Sequence, residues 1–285
     1  MTTNETPSSK DLTLVIGSTG KTGRRVFARL EAQGVPIRHG SRQAPIPFDW
    51  DDQATWAPAL AGVKAVYVAF HPDLSVPGAP EAIGEFTRLA TKAGVDRLVL
   101  LSGRGEAEAQ RCEQIVAESG LTWTVVRASW FLQNFSEGFM LDQILSGTVA
   151  LPAGRVLEPF VDAEDIADVA VAALMGTDLE NQVVEVTGPR LLTLADAIGE
   201  IAAATGREIT FIDIGHDEFL ASMHEAGVPA AYVELLDYLF REVMDGRNAS
   251  LAPGVREALG REPRDLKDYV ERTLASGAWA GEVVR

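Results

Sequence analysis

The sequence predicts an α/β protein: a Rossmann-like, doubly wound parallel sheet with a small α/β C-terminal cap. Three observations carry that prediction. Short, almost continuously apolar runs recur along the first half of the chain (LTLVI, AVYVAF, DRLVLLSG, LTWTVVR), and such runs suit strands covered on both faces. Amphipathic segments of helical period separate them, as expected of βαβ units. A glycine-rich stretch, GSTGKTG, lies where the first apolar run passes into the first helical segment.

Residues 1–10 read as a disordered tail, and the first strand spans 12–16. TGRRVFARLEAQG then forms a helix with Val26, Phe27 and Leu30 on one face, closed by Gly34. A short strand follows at Ile37, and FDWDD (48–52) ends another extended segment. DQATWAPALAG is a helix ahead of the strand 65–70, and EAIGEFTRLATKAG is an amphipathic helix ahead of the strand 96–103. A helix over about 106–119 precedes the strand 121–127. Beyond Arg127 the alternation loosens into helices near 136–145, 162–175, 193–205, 217–226 and 229–245, with strands at 183–187 and 209–214. No linker is long enough to separate two independent domains. Residues 11–150 therefore read as an NAD(P)-binding domain, and 151–285 as mainly a substrate cap, interleaved with the sheet and packed over its carboxyl edge.

Composition bounds the function. With 41 Asp and Glu against 25 Lys and Arg the net charge is −16. Phosphate backbones and anionic membrane surfaces repel that sign, so neither nucleic acid nor membrane is an expected partner. No apolar run approaches the roughly 18 residues that span a bilayer, and the polar start MTTNETPSSK lacks the apolar stretch of a signal peptide. The single cysteine, Cys112, allows no intrachain disulfide and no multi-cysteine metal site. The expectation is a soluble cytoplasmic protein, monomer or homodimer.

Each glycine of GSTGKTG has its own task. Gly17 permits a tight turn, Gly20 lets backbone approach a pyrophosphate, and Gly23 lets the helix pack close to the strand. Amide groups and the positive end of the helix dipole then attract the phosphates. Gly17, Ser18, Thr19, Gly20, Lys21, Thr22 and Gly23 are thus the expected dinucleotide cradle. After the second strand the chain reads Ile37-Arg38-His39-Gly40-Ser41-Arg42, with no acid for a ribose 2′-hydroxyl until Asp49. Ser41 and Arg42 can hold a 2′-phosphate, and Arg38 can stack on adenine or share the charge. NADP(H) is favoured, with NAD(H) the alternative. Asp49 and Trp50 fall where a side chain reaches the adenine edge. Ala69 and Phe70 close the AVYVAF strand and His71 follows, in the segment expected beneath the nicotinamide.

With LVIGSTGKTGRRV, FDWDD, AVYVAF, VDRLVLLSG, SGLTWTVVRASWFLQNF and PFVDAEDIADVA in place, the chain resembles the NmrA-like atypical short-chain dehydrogenase/reductase family. GKTGRRV, FDWDDQATWAPAL and ASWFLQNFSEGF look most like its ergot-alkaloid-dehydrogenase-type, or EasG-like, branch, and the likeness runs from about residue 12 to beyond 275. The resemblance implies an NAD(P)-binding fold, in agreement with the residues. It also exposes a departure. Extended relatives carry a Tyr and a Lys four residues apart, the Lys four before a helix Glu. That Tyr protonates the substrate oxygen, while the Lys lowers its pKa and holds the nicotinamide ribose. With Glu113 as the helix Glu, the two positions hold Gly105 and Ala109, and no Tyr-x-x-x-Lys occurs in the chain.

Two candidate catalytic groups remain. Ser102 ends the strand 96–103, near substrate or nicotinamide in related proteins; its competing role is a hydroxyl that caps the next turn. His71, at the carboxyl edge, has proton-donor chemistry near neutral pH; its competing role is a polar loop residue. Arg104, Glu106 and Glu108, on the segment that replaces the usual acid, are expected to be solvated. Trp130, Phe131, Gln133, Asn134 and Phe135, with Phe160, suit a flat, partly polar ligand, core packing being the competing role for half of them. His216 and His224 lack a ligand pattern, so no metal is expected.

The expected function is NAD(P)H-dependent oxidoreduction, without the Tyr–Lys dyad, of a polycyclic aromatic small molecule from secondary metabolism: a quinone, an aromatic polyketide or an iminium alkaloid. Such acceptors take hydride with little acid assistance. A reduced hydroquinone also reacts with O2, making net hydroxylation without flavin or metal a further outcome. The alternative is a non-catalytic NAD(P)-sensing regulatory protein of the NmrA type, which could lose the dyad at no cost.

Overall fold

The apolar runs become parallel strands because helices cover the sheet on both sides, so most of their positions are buried. The computed structural model describes residues 11–281, so the expected tail at 1–10 lies outside the described residues. In chain order the first elements are β1 (Thr13–Ile16), α1 (Gly23–Ala32), β2 (Ile37–Gly40), α2 (Trp56–Leu60), β3 (Ala65–Val68), α3 (Ala79–Ala93), β4 (Arg97–Gly103), α4 (Ala107–Ala117) and β5 (Thr122–Ala128). There follow α5 (Asn134–Glu137), α6 (Leu141–Ser146), β6 (Thr148–Leu151), α7 (Ala163–Met175), β7 (Gln182–Val186), α8 (Leu194–Thr205), β8 (Thr210–Asp213), α9 (His216–Glu225), α10 (Ala230–Tyr238), α11 (Gly254–Leu259) and α12 (Leu266–Ser276).

The chain divides into two compact units. The first takes the chain up to Ala128 with Ala163–Val186 and Pro253–Arg261; the second takes Ser129–Asp162, Thr187–Ala252 and the chain from Glu262. The first holds a six-stranded parallel sheet ordered β2-β1-β3-β4-β5-β7, the Rossmann-like doubly wound arrangement. Strand order reverses between β1 and β3, and ligands of such sheets sit outside the carboxyl ends of the strands at that point. β1 and β3 are buried at every residue. Trp56, Phe48 and Phe86 pack on the same core. Arg25 and Arg29 of α1 hold Glu164 and Asp168 of α7 (each 2.6 Å), fastening the returning helix to the sheet's first crossover.

The second unit contains the parallel pair β6–β8 and a core that includes Phe135, Phe160, Phe240, Tyr269 and Trp279. Among the described residues no helix is long and apolar enough to cross a membrane.

Three expectations are corrected. FDWDD is not the end of a strand: Phe48 is buried, and Asp49 and Asp52 form only an isolated bridge. The phenyl ring packs at 6.1 Å from Trp56 instead, and Asp52 caps a short 3-10 turn before α2. The helix near 136–145 is two short ones, broken at Gly138, whose backbone is extended. The helix over 229–245 passes after Tyr238 into a π-helical turn, Leu239–Val243.

Candidate active site at the carboxyl edge of the sheet

β1 ends at Ile16, and Gly17 turns the chain with φ +72°, a conformation that side chains disfavour. Its N–H donates to the Gly40 carbonyl at the end of β2 (2.9 Å), and its carbonyl accepts from Gly20 N–H (2.8 Å). A Cβ at Gly23 would overlap the Gly17 carbonyl, and one at Gly40 would press within 2.7 Å of Ile16 Cα. At Gly17 itself a Cβ would stand 3.0 Å from Ala69 Cβ, just past β3. Loop, β2 and β3 therefore meet at a point only glycines allow. Thr19 and Gly20 are exposed at its apex, and Thr22 makes no side-chain capping bond at the start of α1. The positive end of the α1 dipole at this uncapped turn favours an anion. The chemistry of these residues fits an NAD(P) dinucleotide.

Tyr67 of β3 is wholly buried near this loop. Burial pushes its phenol above the ordinary value, opposed by the Thr22 hydroxyl nearby, with which it closes no hydrogen bond of full geometry. It is a neutral interior group.

At the end of β2, Arg38 donates to the carbonyls of Ala59 (2.6 Å) and Ala61 (2.8 Å), which ties its guanidinium to the end of α2. His39 stacks on Phe27 at 3.8 Å and sets Nδ1 3.3 Å from Ser18 Oγ. Arg42 is exposed and Ser41 half-buried. Asp49 accepts from Asp51 N–H (3.2 Å) on its carboxylate and from Trp56 Nε1 (2.6 Å) on its carbonyl. Trp50 donates to the Ala69 carbonyl (3.3 Å) and packs its ring 4.7 Å from Phe70. The structure thus brings the loop, His39, Trp50, Ala69 and Phe70 to one sheet edge. His71, next in the chain, is exposed.

Ser102 is buried on β4 and donates to Glu113 Oε1 on α4 (2.6 Å). Arg127 of β5 grips Glu113 through Nη2 and through Nε (2.9 Å), and holds Glu185 through Nη1 (2.8 Å). The bond with Glu113, though burial opposes it, raises the Arg127 guanidinium further. Burial works to raise the Glu185 carboxyl, but Arg127 and Arg104 hold it below the ordinary value. Gly105 turns with φ +79°, and Ala109 is wholly buried.

The expectation of solvated side chains on this segment fails for two of three. Glu106 is 7% exposed, because its carboxyl folds back over Gly103, where a Cβ would lie 2.5 Å from Oε2. The Arg104 side chain is 10% exposed and reaches Glu185 (3.2 Å). Only Glu108 keeps a surface pairing, with Arg111 (2.8 Å). Sequence reasoning also missed Arg127, whose partners lie fourteen and fifty-eight residues away. The available signal was the pair of glycines flanking Arg104, which clears room for a neighbouring side chain.

In the second unit Trp130, Phe131 and Asn134 are half-buried. Trp130 packs 5.2 Å from Phe240, Phe131 bridges to Val161, and Asn134 opens α5. Phe160 is 3% exposed against Phe135 (5.6 Å), and Gln133 is spent on Asp162 (2.8 Å). Among the described residues no group of three or more His, Cys, Asp or Glu could hold a metal ion. Burial, aided by the Glu108 charge, pushes the Cys112 thiol up to about 12, leaving it unreactive.

A family model described as NAD(P)H-binding matches residues 17–176. The agroclavine dehydrogenase of Claviceps fusiformis is 31% identical over 280 residues, which cover 90% of this chain and 95% of that protein. The NAD(P)H azoreductase of Xenophilus azovorans is 28% identical, covering 92% and 98%. The NADPH-dependent quinone oxidoreductase of Escherichia coli, solved with NADPH, superposes with a TM-score of 0.73 at 19% identity, over 92% of this chain and 99% of that one. That last likeness is one of fold.

Proposed function

The chain belongs to the NAD(P)H-binding family, and we propose that this oxidoreductase reduces a conjugated, electron-poor polycyclic molecule: a quinone, an aromatic polyketide or an iminium alkaloid. The observation that carries the reading is the emptied dyad, with Gly105 and Ala109 where a Tyr and a Lys would stand, beside an intact glycine cradle. An acceptor that takes hydride readily loses least from that absence. The names of an agroclavine dehydrogenase, an azoreductase and a quinone oxidoreductase support the acceptor class.

The dinucleotide, when bound, supplies hydride. Residues 17–23 hold its diphosphate. The exposed Arg42 and the Ser41 hydroxyl face a 2′-phosphate, which favours NADP(H) over NAD(H). Trp50, Ala69 and Phe70 line the path from adenine toward nicotinamide, with His71 and Ser102 at its far end. Trp130, Phe131 and Asn134 offer aromatic and amide contacts to a flat substrate, and Phe160 supports them from the core. Where the product is a hydroquinone, addition of O2 at a ring carbon followed by loss of water from the hydroperoxide gives a hydroxyquinone, a net hydroxylation without flavin or metal.

The test is NADPH consumption over a panel of quinones and polycyclic iminium salts, with and without O2. Turnover with at least one class is expected. Strict inactivity alongside tight cofactor binding overturns the reading in favour of a dinucleotide sensor.

A further inference from the structure

We propose that the buried carboxyl of Glu106, held beside Asp73 at the carboxyl edge of the sheet, is the acid that protonates the reduced substrate in place of the missing dyad. This rests on the reductase reading above. Glu106 immediately follows Gly105 and opens α4. Its carboxyl lies over Gly103, the last residue of β4. Asp73 comes from the loop after β3, the strand paired with β4 in parallel. Both carboxyls therefore belong to the edge that carries the Gly17–Ala69 contact.

The arrangement keeps the resting proton on Glu106. Asp73 Oδ1 already accepts from Ser75 N–H and Ser75 Oγ (each 2.8 Å), so Asp73 is committed as an acceptor. Its partner Glu106 must then bring the proton, since two carboxylates in contact repel at low dielectric. Among the described residues, Asp73 and Glu113 are the charged groups that act on the Glu106 carboxyl, and neither is a cation. The other acid facing it, Glu113 of α4, is claimed by Arg127 and by the Ser102 hydroxyl. Burial first, then the charge and hydrogen bond of Asp73 and the charge of Glu113, push the Glu106 carboxyl well above its ordinary value.

The chemistry balances. A quinone receives two electrons with hydride and needs one further proton on oxygen to become the hydroquinone. The Glu106 O–H bond breaks as the substrate O–H bond forms, leaving a carboxylate beside Asp73 that is relieved when water returns the proton. A carbon-centred acceptor of fixed positive charge, such as an N-alkyl iminium, is neutralised by hydride alone and needs no acid.

Glu106→Gln keeps the shape and a donor for Asp73 but removes the acid. We expect kcat for a quinone to fall roughly 100-fold, kcat for an N-alkyl iminium to change less than about threefold, and NADPH affinity by fluorescence titration to hold. Infrared spectroscopy of the cofactor-free protein at neutral pH should show a protonated-carboxyl C=O band that this variant lacks. Asp73→Asn, which removes the facing charge, should move the alkaline limb of quinone turnover to lower pH. Equal losses with both acceptors, no loss with either, or no protonated-carboxyl band overturns the acid. Inactivity of the wild type with every acceptor overturns the reductase reading instead. Should Glu106→Gln fail to fold, the band in wild type and the limb in Asp73→Asn decide.

Discussion

Two strand-to-helix turns of the same sheet, β1 to α1 and β4 to α4, begin alike and end differently. Each carries glycines at the carboxyl end of its strand, and each has one in the left-handed region, Gly17 at +72° and Gly105 at +79°. In the first turn the glycines bring backbone against backbone, and the apex at Thr19 and Gly20 stays exposed. In the second the room over Gly103 is filled by the protein's own Glu106 carboxyl. Glycine clears space; whether a ligand or a side chain takes it depends on partners distant in sequence.

The largest effect should come from the turn made of backbone alone. Gly23→Ala drives a Cβ into the Gly17 carbonyl and within 3.0 Å of Ser18 N, atoms that cannot rotate away. Thermal unfolding should report a loss of about 3 kcal/mol, and NADPH titration roughly 100-fold weaker binding, as expected when a positioned group moves by about an ångström. Wild-type affinity in this variant would mean that the cradle is not the diphosphate site.

The second turn leans on charge. Arg127→Met leaves Glu113, 6% exposed, without its main partner and strips Glu185 of one of two. With Arg127 itself 20% exposed, solvent screening brings the usual cost of a broken buried pair down to about 2 kcal/mol. The Glu185 share has a definite sign. Its folded pKa is depressed, so that stability is present above the ordinary glutamate range and lost as pH falls through the folded value. Denaturant titrations should therefore find the variant's deficit largest at neutral pH and smaller in acid. A pH-independent deficit would assign the loss to packing alone.

Gly103→Ala asks whether the space in the second turn matters as space. The new Cβ meets the end of a flexible side chain rather than backbone. The fold should lose only about 1 kcal/mol while quinone turnover falls toward that of Glu106→Gln. A variant as active as wild type would show that the carboxyl's seat over Gly103 has no role in turnover.

These contrasts match what was legible in the sequence. The parallel sheet was readable because LTLVI, AVYVAF and DRLVLLSG are almost continuously apolar, with every residue of β1 and β3 buried, and the first turn because its glycines are neighbours in the chain. FDWDD misled because Phe48 and the tryptophans pack as an aromatic cluster, with rings 4.9 Å apart for Phe48 and Trp50, and an apolar run does not reveal whether backbone or ring is its partner. Glu106 was unreadable for a similar reason. Its seat is set by Gly103, a little earlier in the chain, and its charge by Asp73, on another strand's loop, and charge in a loop looks solvated until those neighbours are placed.

The smallest effect belongs at the outer rim of the first turn, where two arginines that look equivalent in Arg38-His39-Gly40-Ser41-Arg42 have different employment. Arg38 spends its guanidinium on the Ala59 and Ala61 carbonyls, whereas Arg42 is exposed. If Arg42 holds the 2′-phosphate, an exposed ionic contact of this kind is worth about 1 kcal/mol at most, which is roughly a fivefold change in the ratio of NADPH to NADH affinity. Arg42→Ala should lower that ratio by about this factor and weaken its salt dependence. Arg38→Met should instead lower thermal stability by freeing the end of α2, with the ratio nearly unchanged. If Arg38→Met moves the cofactor ratio and Arg42→Ala does not, the 2′-phosphate must pull Arg38 away from α2, and the turn after β2 rearranges on binding.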